Sequence, residues 1–487
     1  MRSSFSARRL VSIALAAVFV ASGGAAWANG RFPRAQRLRE DPTNPDGLAL
    51  AATYGILVTS DRGEHWRHVC EASFAGLQTY TGDPLLDFTN DGTMLVGVQS
   101  TLNVSRDLCG WTPKLGGGAA IVLDYTIVRS SAPSIVALVA TYRNGVADHA
   151  LWKSVDGAEH WTLLGAVPAT TAYTLDVDPR DDAHIYVTVL DGGVGKLLRT
   201  RDDGRTWTAI PIPNTDIARA PYIAALDPND ANRIYVRTDG WVPIDGILTA
   251  DDALLVSNDG GDTWTEAFRQ HAKLLGFALS PDGKEVLLGY GDPFAAGTAA
   301  VPGRLGVFKS ATDAFDFDFI FPAHVSCLAW TARGVYVCAS QHFDGFELGF
   351  SPLADFRGDA GCLAQLLRLS DVKGPVDCPA GTSGEACNVN WLAACFTFGT
   401  CTDGGTTPKR CAGDNGAATA DGGTIADASA DAGRQSDGDG RASTEGGATG
   451  CGCRMHERSK ESGASFTAIA LACLALRRRR TADCRFR

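Results

Sequence analysis

Short apolar stretches separated by polar turns run through most of this chain and predict an all-β protein. The stretches come in pairs: a run rich in β-branched and aromatic residues ends in Asp-Pro or Ser-Pro, a polar turn follows, and a second apolar run comes next. The order is clearest at residues 173–179 and 184–187, and again at 222–228 and 233–236. Runs of this kind, bounded by Pro, Asp, Asn and Gly, are typical of β-hairpins.

One eight-residue motif, Ser/Thr-x-Asp-x-Gly-x-x-Trp, recurs between these pairs of runs. Its Asp can accept backbone N–H bonds across a turn, its Gly can adopt a positive φ, and its Trp can pack beneath a hairpin. Three copies are complete, the copy at 154 has Ala in place of Gly, and the copy at 105 is one residue short. The motif residues are Thr59, Asp61, Gly63, Trp66, Ser105, Asp107, Trp111, Ser154, Asp156, Trp161, Thr200, Asp202, Gly204, Trp207, Ser257, Asp259, Gly261 and Trp264.

The spacing of the motif predicts the architecture. Copies begin at 59, 105, 154, 200 and 257, with a degenerate copy at 310, so that they lie 46 to 57 residues apart. A period of about 40–50 residues with strand-like content is typical of a β-propeller that has one four-stranded blade per repeat. A first strand within 35–42 and a last pair of runs at 325–330 and 335–338 bring the predicted number of blades to seven, with six and eight as the alternatives.

The motif resembles the Asp-box, or bacterial neuraminidase repeat. In that family the box forms a tight hairpin between the last two strands of a sheet, at the periphery and away from catalysis. Sialidases combine it with an arginine triad, a Tyr nucleophile paired with Glu and an acid/base Asp, whereas sortilin-type receptors and photosystem assembly factors hold protein or peptide partners. The resemblance implies the fold and a structural role for the motif. Arg31-Phe-Pro33 is a partial match to the sialidase Arg-Ile-Pro motif, and no further motif places the catalytic residues.

Both ends of the chain predict export. A charged start, an apolar run and an Ala-x-Ala motif that ends at Ala28 have the organisation of a signal peptide. Near the other end, a motif containing Cys451 and Cys453 is followed by a short apolar run and the arginines at 477–480. These three parts resemble the myxobacterial C-terminal sorting tag, which implies processing at the cysteine motif and display at the cell surface or outer membrane, anchored or released. A plain C-terminal anchor is the alternative.

The 14 cysteines also favour an oxidising compartment. Cys70 and Cys109 lie in neighbouring predicted blades and are candidates for a bridge between them, while Cys327 and Cys338 lie on successive predicted strands and suggest a cross-strand bridge. A cluster after the propeller has no Cys-x-x-Cys pair and no histidine, which favours disulfides over zinc. Its pairing stays open among Cys362, Cys378, Cys387, Cys395, Cys401 and Cys411.

These features divide the chain into five segments. We predict a signal peptide at 1–28, an Asp-box propeller at 29–358, a disulfide-bonded Cys-rich segment at 359–411, a disordered acidic linker at 412–450 and a sorting or anchor tag at 451–487. The linker consists mainly of Gly, Ala, Asp, Ser and Thr and has too few large apolar residues to bury a core.

Charge and motifs narrow the function without assigning a reaction. The formal net charge of −11 argues against a nucleic-acid partner. Metal-ligand spacings, phosphate-binding loops and nucleophile elbows do not occur in the sequence, so we expect no metal, no cofactor and a monomer that meets a membrane only through its tag. Insertions at 240–252 and 292–304 would enlarge one rim, where Trp241 and Phe294 either contact a ligand or cover the blade edge.

The expected function is therefore a surface-displayed propeller that binds a protein, peptide or glycan. An exo-sialidase-like glycoside hydrolase and a passive component of the cell envelope are the alternatives, and the catalytic residues of the first are unknown. A sialidase would require three arginines that converge at the mouth of the central channel.

Overall fold

Seven four-stranded antiparallel blades follow one another along the chain in the residues that the structure describes. The structure is a computed structural model that describes residues 35–75, 84–130, 132–292, 302–356 and 362–398. Seven blades and the all-β class confirm the fold predicted from the period of the motif. The predicted signal peptide, linker and tag lie outside the described residues, and so does Arg31-Phe-Pro33.

Each blade consists of four consecutive strands, ordered from the centre of the ring outwards. The strands of blades 1 to 4 are β1 (Ala35–Glu40), β2 (Leu48–Ala52), β3 (Gly55–Thr59), β4 (Trp66–Val69), β5 (Leu85–Phe88), β6 (Met94–Val98), β7 (Thr101–Ser105), β8 (Thr112–Gly116), β9 (Ala120–Val128), β10 (Ser134–Arg143), β11 (Val146–Ser154), β12 (Thr162–Val167), β13 (Thr171–Asp178), β14 (Asp181–Asp191), β15 (Val194–Thr200) and β16 (Thr208–Asp216).

Blades 5 to 7 keep this order, and blade 5 carries one additional strand, β19. Their strands, with a later strand β30, are β17 (Arg219–Leu226), β18 (Ile234–Ile244), β19 (Ile247–Ala250), β20 (Asp252–Ser257), β21 (Thr265–Gln270), β22 (Lys273–Leu279), β23 (Glu285–Gly291), β24 (Gly306–Ala311), β25 (Asp318–Phe321), β26 (Cys327–Thr331), β27 (Gly334–Cys338), β28 (Leu348–Ser351), β29 (Ala364–Leu367) and β30 (Val372–Pro375). Two helices are described, α1 (Gln341–Asp344) and α2 (Ala386–Phe398), and neither is long and apolar enough to cross a membrane.

The inner strands of each blade are covered by neighbouring blades on both faces, and this explains their sequences. Every residue of β2 and of β6 is buried, so these strands read as continuous apolar runs rather than as alternating ones. By contrast, β8 and β12 at the outer edge each have three exposed residues, and both strands contain Thr and Gly. Burial of the inner strands therefore supplies the cores between blades.

The ring closes because blade 7 packs against blade 1. Strand β1 contacts β26 and β27 of blade 7 as well as β5 of blade 2. The fourth strand of blade 7, β29, lies beyond the predicted propeller boundary at 358, because the blade needs it to complete its sheet. Strand β30 then adds to the outer edge of blade 1, parallel to β4.

The segment after blade 7 is fastened across blades 1 and 2 by two disulfides, and we call it the clasp (residues 372–398). Cys70 is bonded to Cys387 and Cys109 to Cys378, with Cα–Cα distances of 5.4 and 5.3 Å. The predicted bridge between Cys70 and Cys109 is therefore wrong, because the clasp brings a partner to each of them. Its cysteines at 378 and 387 likewise pair outside the C-terminal cluster.

The remaining bonded cysteines lie near the end of the ring. Cys327 is bonded to Cys338, its direct partner in the register of β26 and β27, as their positions on successive strands suggested. Cys362 and Cys395 are also disulfide-bonded. Cys401 and Cys411 lie outside the described residues.

Aromatic packing holds the helix of the clasp against blade 1. The ring of Phe398 lies 5.0 Å from that of Tyr54 and 5.3 Å from that of His68, and Trp391 lies 6.0 Å from His68. Burial lowers the pKa of His68 to about 4, so this histidine is neutral at physiological pH. The clasp thus adds an apolar contact to its two covalent ties.

Candidate functional site

The motif residues form the turn between the third and fourth strands of blades 1 to 5, at the outside of the ring. In blade 4, Thr200 Oγ1 donates to Asp202 Oδ1 over 2.7 Å and accepts the Gly204 N–H over 3.0 Å. Asp202 also accepts the backbone N–H and the hydroxyl of Thr206, over 2.9 and 2.7 Å. These bonds lower the pKa of Asp202 to about 2, with the Thr206 hydroxyl as the largest cause. The carboxylate is thus committed to the turn.

The other motif carboxylates are held in the same way. Asp61 and Asp156 each accept a backbone N–H four residues ahead, from His65 and His160, and Asp259 accepts that of Thr263. In the shortened copy of blade 2, Asp107 accepts the N–H groups at 109 and 110 instead. Hydrogen bonding within the turn therefore occupies all five motif carboxylates, which lie far out on the blades.

In two of the five copies, the motif Trp bonds its hairpin to the preceding blade. Trp66 Nε1 donates to the carbonyl of Leu366 in blade 7 over 3.1 Å, and Trp207 Nε1 donates to that of Ala166 in blade 3 over 3.0 Å. Trp111 and Trp161 instead bond within their own turns. The indole N–H of Trp264 is buried without a hydrogen-bond partner in the part of the chain that the structure describes.

The need for Gly in the motif can be tested by substitution, because blade 3 naturally has Ala158 at the equivalent position. Ala158 has φ 74° and Gly204 has φ 78°, so alanine is tolerated there with strain. We expect Gly204→Ala to lower the free energy of unfolding by about 1–2 kcal/mol, since the new methyl meets Leu151 at an ordinary 3.4 Å. Gly261→Ala should cost more, because its methyl would lie 2.5 Å from the buried Leu197. Urea unfolding measures both, and equal losses would contradict the steric argument.

A cavity of about 720 Å³ opens where the innermost strands end, and we call it the inner cavity. Its volume falls within the usual range of small-ligand sites, about 300–1,000 Å³. Three arginines, three carboxylates and two large aromatic rings line it together with smaller residues. The charged and aromatic lining residues are Arg39, Arg129, Arg333, Glu40, Asp41, Asp87, Phe277 and Trp330.

Asp87 organises one side of the inner cavity. Its carboxylate lies 3.3 Å from Arg39 Nε and 2.6 Å from Arg129 Nη2, and it accepts the Phe88 N–H over 2.7 Å. Burial opposes its ionisation, but Arg39 and Arg129 outweigh burial and lower the pKa of Asp87. Asp87 is therefore an ionised anchor for two arginines and is unsuited to donate a proton.

The three arginines of the inner cavity do not form the open receptor for a carboxylate that a sialidase requires. Arg39 and Arg129 are paired with Asp87. Arg333 interacts with Tyr336, whose hydroxyl donates to Glu40 Oε1 over 3.2 Å. Each arginine thus already has a partner within the protein.

Two further carboxylates lie deeper in the channel wall and join successive innermost strands. Asp124 accepts the Leu175 N–H of blade 4 over 3.1 Å, and Asp176 accepts the Leu226 N–H of blade 5 over 3.3 Å. Burial raises the pKa of Asp124 to about 6 and also raises the pKa of Asp176. Their bonds to backbone N–H groups give them a positioning role in the ring.

Sequence reasoning missed the inner cavity, although one signal for it exists. Asp87, Asp124 and Asp176 occupy the innermost strands of three consecutive blades, where apolar residues dominate. A carboxylate that recurs in a buried strand indicates a partner or a solvent-filled channel. The recurrence therefore predicts a polar site at the centre of the ring.

The insertion at 240–252 extends blade 5 as a hairpin of β18 and β19 rather than as an irregular loop. Trp241 lies at the base of this hairpin, where Lys273 Nζ lies 4.5 Å from the centre of its ring. Lys273 is buried and also bonds Asp252 over 2.8 Å. The ring of Trp241 therefore already has a cation of the protein, Lys273, over it. Phe294, Ala28, Cys451 and Cys453 lie outside the described residues.

A seven-bladed β-propeller with a charged inner cavity is the class of protein that these features define. The sequence matches no protein-family model and no curated protein. Among solved structures, the chain is similar to a GH74 enzyme of Niastella koreensis, with 16% identity over 66% of this chain and 64% of that chain and a TM-score of 0.37.

Two further solved structures are similar to this chain. The extracellular domain of a putative one-component system of B. thetaiotaomicron shares 11% identity over 66% of this chain and 38% of that chain, with a TM-score of 0.44. An α-L-arabinanase of Penicillium chrysogenum complexed with arabinobiose shares 12% over 48% and 78%, with a TM-score of 0.32. The chain therefore spans less than two thirds of the first two proteins, and at these values the likeness concerns the fold alone.

Proposed function

We propose that the protein is a binding module that holds a glycan in the inner cavity. The observation that carries this proposal is the lining: the rings of Trp330 and Phe277 stand beside charged side chains with many hydrogen-bonding atoms. A sugar ring has an apolar face that packs on an aromatic ring and hydroxyl groups that need donors and acceptors at its edge. The inner cavity offers both and has the volume for a small oligosaccharide.

The chemistry of the cavity favours binding over hydrolysis. Retaining and inverting glycosidases need a carboxylic acid that can donate a proton and a second group that attacks or activates water. Asp87 is held ionised by Arg39 and Arg129, and Glu40 accepts a hydrogen bond from Tyr336. A sialidase-like hydrolase and a passive envelope component remain the alternatives that experiment must separate from a binding module.

Titration of the full chain with a panel of oligosaccharides tests the proposal. We expect at least one glycan to bind without being cleaved, and Trp330→Ala to weaken its binding about tenfold or more, which corresponds to about 1.4 kcal/mol. Trp241→Ala, a matched change on the hairpin of blade 5, should leave the affinity unchanged. Cleavage of a sialoside or of the bound glycan would contradict a pure binding function, and equal loss in both variants would place the site at the rim.

We also propose that the propeller is exported and displayed at the cell surface, where the glycan would be met. Support comes from the disulfides that tie the ring, since such bonds persist in oxidising compartments. The signal peptide and the sorting tag inferred from the sequence also indicate export to the cell surface. A tethered binding module at the surface is the function that these features support together.

A further inference from the structure

One arginine in the centre of the ring, Arg37, has no hydrogen-bond or ion-pair partner among the residues that the structure describes. Arg37 lies on β1, the innermost strand of blade 1, directly before Leu38 and Arg39, which line the inner cavity. Within the part of the chain that the structure describes, its guanidinium donates no hydrogen bond and has no carboxylate oxygen within 4.0 Å. Arg39, by comparison, is paired with Asp87. Arg37 therefore differs from the three arginines of the cavity lining.

The neighbouring charges explain why Arg37 stays unpaired. Burial and the nearby Arg39 lower its pKa, while Asp124 and Asp87 act in the opposite direction. The oxygens of Asp124 are committed to the N–H groups of Tyr125 and Leu175. Those of Asp87 are committed to arginines at the cavity wall. Both carboxylates therefore attract Arg37 through space without occupying its donors.

The guanidinium of Arg37 is half-buried and still reaches solvent. It carries five N–H donors in a planar fork that fits an oxyanion with two parallel bonds. Without a protein partner, these donors can be satisfied only by water or by a ligand. The lining of the inner cavity has three arginines and three carboxylates. Just beyond it, Arg37 adds a positive charge whose donors are unoccupied, and Asp124 adds a negative charge whose oxygens already accept backbone N–H groups.

We propose that Arg37 binds an oxyanion, a carboxylate or a sulfate ester, on the glycan that occupies the inner cavity. This inference rests on the proposed function and makes it more specific: the ligand is an acidic saccharide. The sugar ring lies in the inner cavity, and its charged group reaches inward to Arg37. A neutral saccharide of the same size would leave the guanidinium unpaired.

The test compares saccharides that differ only in charge. Full-length protein is titrated calorimetrically with a galacturonate trisaccharide, a galactose trisaccharide and a sulfated galactose trisaccharide, and each is repeated with Arg37→Gln, Arg37→Lys and Arg143→Gln. Arg143 is the matched control, because its side chain is 77% exposed on blade 3. Unfolding curves verify that every variant folds.

We expect an acidic trisaccharide to bind at least tenfold more tightly than the galactose trisaccharide. Arg37→Gln should remove this preference, Arg37→Lys should keep part of it, and Arg143→Gln should leave it intact, since a charge-assisted pair is lost only in the first. Preference for galacturonate or for the sulfated sugar identifies which oxyanion is bound. Equal binding of charged and neutral sugars, unchanged in Arg37→Gln, would overturn the inference while the proposed function stands.

Inorganic sulfate separates the two proposals if no saccharide binds. That result would count against the glycan-binding function, and the thermal midpoint in sulfate against chloride at equal ionic strength would then decide the role of Arg37. A larger rise for the natural protein than for Arg37→Gln supports an oxyanion site. Equal rises would mean that water alone solvates Arg37, and the inference would fail.

Discussion

Replacing Trp66 with alanine is expected to lower the free energy of unfolding by about 3–5 kcal/mol, as is usual when a buried Trp is truncated. Trp66 is fully buried, and its core cluster contains Leu50 of blade 1 and Leu348 and Leu367 of blade 7. Alanine would remove the apolar surface that seals the junction between the first and last blades and leave a large void there. Chemical unfolding of the full chain measures the loss.

Phenylalanine at the same position separates packing from hydrogen bonding. Trp66→Phe removes the N–H that donates to Leu366 and leaves that carbonyl without this bond, whereas Trp264→Phe removes an N–H that has no partner in the described residues. The first change should therefore cost about 1–3 kcal/mol more than the second. Equal costs would show that the hydrogen bond across the junction contributes nothing.

Removing both bridges of the clasp is the second change with a large expected effect. The bridges Cys70–Cys387 and Cys109–Cys378 join residues 317 and 269 positions apart, so each restricts a very long loop in the unfolded chain. Disulfides of this kind contribute about 2–5 kcal/mol each. We expect the chain with all four cysteines replaced by serine to unfold at a markedly lower denaturant concentration.

The two bridges should not act additively. While Cys70–Cys387 is intact, the second bridge closes a loop of only about 48 residues, and loop-closure entropy grows with the logarithm of length. Whichever bridge is removed second should therefore cost about 1–2 kcal/mol more than the bridge removed first. Serine pairs at Cys327 and Cys338, only 11 positions apart, provide the matched control with a smaller loss. Identical losses for all three pairs would contradict this account.

The fold could be predicted from the sequence because its signals are local and repeated. The motif marks the turn between the third and fourth strands, and Asp-Pro marks the end of β13 and of β17, so strand order follows from spacing alone. The partner of Cys70 could not be predicted in this way. It depends on where the chain goes after blade 7, and no local pattern describes that path.

The candidate site was less accessible to sequence reasoning for a related physical reason. The inner cavity draws Arg39, Asp87 and Trp330 from blades 1, 2 and 7, which meet only because the ring closes. Trp241 was a candidate contact residue because it is an aromatic residue in an insertion, but Lys273 already lies over its ring. The site forms only when blades that are distant in the sequence meet as the ring closes. The spacing of the motif predicts the order of the blades but not these contacts.

The closed ring has a consequence for how the protein can come apart. Each blade packs mainly on its two neighbours, so an open array of blades would have two ends, and unfolding would begin there and spread inwards. The clasp ties the segment after blade 7 to Cys70 in blade 1, and the array has no end from which to fray. Local opening must then break two interfaces at once, which turns a modular array into a single cooperative unit.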